Sequence, residues 1–99
     1  MLRFLGEIGE RDVPGIKKIE LTAHARLRLH ERSLSMSWIE ATARNPEWIE
    51  PDPRDASIER RFRAIDERNG RILRVACVET ETAIRVITVT FDRNARRKS

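Results

Sequence analysis

Tyrosine is missing from this 99-residue chain, cysteine occurs once, and glycine and proline four times each. A single thiol, Cys77, excludes an internal disulfide and a thiolate cluster for zinc. With two tryptophans and three phenylalanines as the only aromatics, a platform of stacked bases like those of RNA-reading sheets is not expected. No apolar run approaches the ~18 residues that a membrane span requires. The opening MLRFLGEIGERD is too short in its apolar part, and turns acidic too soon, for a secretory signal. The expectation is a cytoplasmic protein with no membrane partner. There is no HExxH, no Gly-rich phosphate loop and no GxSxG, so no motif asks for a metal or another cofactor.

The chain is 39% apolar and 36% charged, which predicts one thinly cored domain over residues 1–99. The formal net charge is +4, and 17 of the 20 basic residues are arginine. Guanidinium forks match phosphate geometry better than ammonium groups do, so the balance leans toward nucleic acid or an acidic protein. Arginine in place of lysine can also follow from genome base composition.

Taken in order, residues 1–15 form an edge segment whose apolar positions are broken by Gly6, Gly9 and Pro14-Gly15. IKKIEL, residues 16–21, reads as a short strand leading into Thr22, a plausible helix cap. A first helix follows over about 23–32. A second starts at Ser35 or Ser37, where SWIE fits a capping box with Glu40 reaching back, and it stops before Pro46. Residues 48–50 look extended, and PDPRDAS is a loop.

From Ile58 the apolar period becomes two. Asn69-Gly70 is a strong hairpin signal, because a type I′ turn needs positive φ at both central residues. It joins strands over about 58–68 and 71–79, and a tight connection near Thr80-Glu81 leads to a third over 83–91. The core is residues 21–91, and the tail 92–99 is basic and frayed. With two-residue loops, Phe62 faces Cys77, Ala64 faces Val75, Val75 faces Val86 and Leu73 faces Thr88. One face then holds Phe62, Ala64, Leu73, Val75, Cys77, Ile84 and Val86 for the helices to cover, with Thr88 closing the row. The other mixes Arg61, Arg63, Arg74 and Arg85 with Ile65, Ala76, Ile87 and Val89. Arg61, Arg63 and Arg74 are its candidate substrate-binding residues.

The chemistry-bearing constellation lies on the first helix. His24, Arg28 and Arg32 recur at four-residue spacing and form one stripe beside the apolar Leu21, Ala25 and Leu29. The positive end of a helix lowers an imidazole's pKa and favours a ring able to accept a proton, for example from a ribose 2′-hydroxyl. Arg28 and Arg32 would grip the phosphate and stabilise the added charge of a pentacoordinate state. A lone histidine can equally pack at a helix start, and an arginine-rich edge can simply be solvated. His30 falls nearly opposite and reads as surface. The tail arginines Arg93, Arg96 and Arg97 would add non-specific phosphate affinity or be a solvated terminus.

The pattern HAxxRxxxR, then a Ser-capped helix ending in NP, RILRVACV and VITVT, resembles a domain family of unknown function. That family is grouped with the RelE/ParE-type toxins, near the BrnT-like ribonuclease toxins of bacterial toxin–antitoxin pairs. The likeness runs from about Leu21 to Phe91, and its most specific mark is His24-Ala25. It implies an α+β, RelE-like toxin fold, with two N-terminal helices on one face of a small antiparallel sheet. It implies metal-independent RNA cleavage with His24, Arg28, Arg32 and Thr88 at the matching positions. The partners implied are RNA (mRNA or ribosome-associated) and an acidic antitoxin. Two departures stand out: Ser33 replaces the glycine usual after the second arginine, and Val89-Thr90 replaces a tyrosine common after the final threonine. The alternatives are a non-catalytic module of that fold binding RNA or an acidic protein, and a ParE-like poison of a protein target.

Overall fold

Thr22 ties the first strand, the first helix and the last strand together, and the architecture can be built outward from it. The protein is described by a computed structural model covering residues 16–96. The expectations for residues 1–15 and for Arg97 lie outside the described residues. Strand β1, Lys18–Leu21, ends at Thr22, and helix α1, Ala23–Glu31, begins there. The Thr22 hydroxyl accepts the Ala25 N–H at 3.1 Å, as a cap should. The same hydroxyl donates to the Ile87 carbonyl at 3.0 Å, and the Thr22 N–H donates to Val86 O at 3.0 Å.

Helix α1 closes on a Schellman motif. Leu34 N–H donates to Leu29 O at 2.9 Å, and Ser33 N–H to His30 O at 3.3 Å. Ser33 takes the left-handed conformation, with φ 52°, and Leu34 is buried just after it. Glycine is the residue that adopts this conformation without strain. That gives a physical reason for the glycine the family resemblance expects at this place.

Helix α2, Met36–Arg44, is capped by Ser35, whose hydroxyl accepts the Ser37 N–H at 3.2 Å. The capping box at Ser37 does not form. Ser37 lies inside the first turn, and Glu40 turns toward Arg44, 3.1 Å away, one helical turn on.

Five strands make one sheet in the order β1-β5-β4-β3-β2. The others are β2, Trp48–Pro51; β3, Glu59–Ile65; β4, Arg71–Glu79; and β5, Ala83–Phe91. Both helices pack on the sheet, so the fold is α+β with the helices in the N-terminal half. The sheet is mixed and not wholly antiparallel, because β1 runs parallel to β5. A parallel pair cannot be joined by a tight turn, and its crossover is α1, α2 and the three strands between. Pro51, which has no N–H to give, sits on the edge strand β2.

Two registers differ from those expected. Between β3 and β4 the chain does not turn at Asn69-Gly70 alone. Asp66–Arg68 wind into a 3₁₀ turn, Gly70 N–H reaches back to Ile65 O at 3.0 Å, and Ile65 pairs with Arg71. The loop thus holds five residues, an odd displacement that swaps the faces of β3. Phe62 and Ala64 leave the helix-covered face, Ile65 joins the core, and Arg61 and Arg63 pass beneath α2. Asn69 and Gly70 do carry the positive φ values expected of them, 57° and 77°.

Between β4 and β5 the tight loop is Glu81-Thr82, one residue later than expected, and Cys77 pairs with Val86. A bulge then leaves Ile87 without a partner residue on β4, so that Ala76 pairs with Thr88 and Val75 with Val89. Val86 keeps its expected face, whereas Thr88 and Val89 exchange faces. The core comprises Ala25, Ile39 and Ala43 from the helices against Ile65, Leu73, Val75, Cys77, Ile84, Val86 and Val89.

Arg61 sits under the C-terminal end of α2, only 7% exposed. It donates to Ala43 O at 2.7 Å, to Glu59 at 2.7 and 3.0 Å, and to Glu79 at 2.7 Å. Glu79 also accepts from Lys17 at 2.7 Å. The Lys17 and Arg61 cations hold the Glu79 carboxyl at about 2, below its usual 4.5.

Three outcomes are expected. Arg61→Met should cost about 2 kcal/mol in urea unfolding, because a carbonyl and two carboxylates lose one donor while the glutamates still reach water. Ser33→Gly should raise stability by ~0.5 kcal/mol, the relief of left-handed strain outweighing the entropy of glycine. Glu79 is depressed when folded, so its contribution is complete above about pH 4.5 and is lost as pH falls toward 2. In thermal melts over that window, the wild type should lose melting temperature faster than Glu79→Gln.

Candidate functional site

Helix α1 presents His24 and Arg28 one turn apart along an edge that the core does not use. Ala25 is the only buried residue of this helix; His24 is exposed and Arg28 half-buried. Among the described residues His24 has no hydrogen bond or ion pair, so both ring nitrogens are open to solvent or ligand. Arg28 lies 3.7 Å from Glu31, an exposed i,i+3 contact that leaves most of its donors free. Arg32 is the C-cap of the helix and is exposed. Helical spacing puts His24 and Arg28 on successive turns, and Arg32 follows one turn later at the exposed C-cap.

Thr88 does not join them. It pairs with Ala76 and directly precedes the buried Val89, so it faces the side of the sheet that the helices leave open. Among the described residues no hydrogen bond links it to His24, Arg28 or Arg32. The bulge at Ile87 is the cause, and the group it brings to the start of α1 is the Ile87 carbonyl, held by Thr22.

The arginines assigned to substrate also separate. Arg61 is buried and fully engaged, and Arg63 donates to Asn45 O at 2.8 Å at the end of α2. Both lie on the helix-covered side and not on an open basic face. Arg74 is on the open face and is bound to Asp92 at 2.8 Å. Cys77 lies beside Arg61, and burial pushes its thiol up to about 11, so it stays protonated and unreactive near neutral pH. Among the described residues no three His, Cys, Asp or Glu side chains gather as a metal-ligand set.

A further cluster, at the C-terminal end of β5 and the start of β4, was not anticipated. Trp38, in the first turn of α2, meets Phe91, at the end of β5, edge to face with ring centroids 6.2 Å apart. The Arg68 guanidinium lies 5.3 Å from the Trp38 ring and 5.5 Å from Phe91, and Arg71 lies 4.7 Å from Phe91. Neither arginine has a carboxylate partner among the described residues. Beside them a cleft of about 310 Å³ opens between the Asn69-Gly70 turn and Asp92–Arg93. The visible signal was RNGR, two arginines bracketing a tight turn; what could not be read was which aromatic rings would lie under them.

No curated protein and no solved structure matches the chain significantly. Residues 21–91, which hold both helices from their first cap, four of the five strands and every candidate residue of α1, match the family described as Domain of unknown function (DUF4258), and the chain belongs to that family.

Proposed function

We propose that this protein is a toxin-type, metal-independent endoribonuclease of the RelE-like kind, with His24 as the acid/base group and Arg28 and Arg32 as the phosphate clamp. The observation that carries the reading is the free imidazole of His24 one turn before Arg28, on an edge the core leaves accessible. Phosphoryl transfer in RNA needs a proton acceptor within reach of the 2′-hydroxyl and fixed positive charge around the phosphorus. His24 would take the 2′-hydroxyl proton while O2′ attacks phosphorus. The P–O5′ bond breaks, and the imidazolium returns a proton to the departing 5′-oxygen. The products are a 2′,3′-cyclic phosphate and a 5′-hydroxyl. An mRNA or ribosome-associated strand is the intended substrate, and an acidic antitoxin would complement the net charge of +4.

A second reading is favoured by the position of Thr88. With the Thr88 hydroxyl on the open face, no partner among the described residues orients the His24 ring, which suits a non-catalytic module that binds RNA or an acidic protein through its arginines.

The two separate cleanly. In EDTA, His24→Ala should lower RNA cleavage by roughly 10²–10⁴-fold, the worth of an acid/base group, with melting temperature unchanged. His30→Ala should cleave as the wild type does. Equal cleavage by wild type and His24→Ala would remove the acid/base role; wild-type binding without cleavage would leave the binding module.

A further inference from the structure

We propose that the cleft between the Asn69-Gly70 turn and Arg93 is a second nucleotide-binding site, which takes a phosphate and its adjoining unpaired base from a single strand. It rests on the RNA reading only for the kind of strand, not for the existence of the site. Four observations support it. Arg71 and Arg93 both line the cleft, and neither has a carboxylate partner among the described residues. The acidic residue that lines it, Asp92, is already engaged: its carboxylate accepts from Arg74 at 2.8 Å and from the Asn94 N–H at 2.9 Å. Asp66 and Glu67, on the 3₁₀ turn nearby, are not among the lining residues. The cleft is therefore cationic in net effect.

The fourth observation is the way the guanidiniums are held. Arg71 lies on Phe91, and Arg68 sits against both Trp38 and Phe91. A ring beneath a guanidinium takes one of its flat faces and none of its edge, so the N–H fork stays available to a phosphate. Arg71 is exposed, so its guanidinium can be approached from solvent. Unpaired bases stack on arginine planes of this kind as they do on aromatic rings. Fixing both side chains in advance also lowers the entropy lost on binding. Ordinary surface arginines, such as Arg54 in the exposed loop after β2, have no such support.

The test is a titration of the ¹⁵N-labelled full chain with a hexamer of uridylate at low salt, followed by amide shifts. The Gly70, Arg71 and Arg93 amides should move. Arg71→Gln should weaken binding by ~10-fold and lower the salt slope by about one, as loss of a phosphate contact does. Arg54→Gln, with the same change of charge, should weaken it less than about twofold. Arg71→Lys keeps the charge without the plane or the fork and should fall between. The unperturbed amides of each variant report that it is folded. Equal losses in Arg71→Gln and Arg54→Gln would mean general charge attraction and would overturn the site. Shifts confined to the His24 and Arg28 amides would overturn it while leaving the RNA reading intact. Shifts at the cleft in a protein that cleaves no RNA would uphold the site and remove the catalytic reading.

Discussion

A buried guanidinium holds the helical layer to the sheet. Arg61 fills the space under the end of α2, where the last carbonyls of a helix lack internal partners, and it supplies one of them at Ala43 O. Its other donors go to carboxylates on two strands, Glu59 and Glu79, and Glu79 passes the connection on to Lys17 beside β1. Taking such a group out of water is costly unless its hydrogen bonds are replaced, and here they are. Arg63, two residues on, repeats the device at Asn45 O. The docking of the α2 C-terminus on β3 and β4 follows from where this one side chain goes.

This sorts the arginines by environment. Those beneath α2 serve the fold; Arg74 on the open face is neutralised by Asp92; those at the rim, Arg28 on α1 and Arg68, Arg71 and Arg93 at the sheet end, keep donors free or nearly so. Arg26, Arg54 and Arg85 are exposed elsewhere. Two groups differ from such surface cations, one on a helix edge beside an imidazole and one on a pair of aromatic rings. Both places lie at ends or edges of elements, where a ligand can approach without disturbing the core.

Local signals in the sequence were dependable where the chemistry is local. The hydroxyl of Thr22 had one obvious use as a cap, and Asn69-Gly70 had the composition that positive φ demands. The β4 and β5 positions Val75, Cys77, Ile84 and Val86 are apolar at a spacing that only a half-buried strand explains. The failures have a common origin, the count of residues between strands. Asp66–Arg68 can extend a strand or wind into a 3₁₀ turn, and alternation alone does not decide. Phe62 looked like core, yet it is buried against Trp48, stacked at 4.7 Å on the other side of the sheet. The bulge at Ile87 inserted one residue more and carried Thr88 away from His24. A change of one position in register inverts a face, so the site was less legible than the fold.

The parallel pairing of β1 with β5 has a consequence for the order of assembly. Leu21 pairs with Val86, and the Thr22 hydroxyl waits for Ile87, a separation of 65 residues. During synthesis the first helix would emerge with its cap half-made and its strand without a neighbour, and the closing strand would come late. The sheet interior is completed only when β5 slots between β1 and β4, so an incomplete chain exposes two unpaired edges at once. Until β5 arrives, the central lane of this small sheet stands empty between β1 and β4.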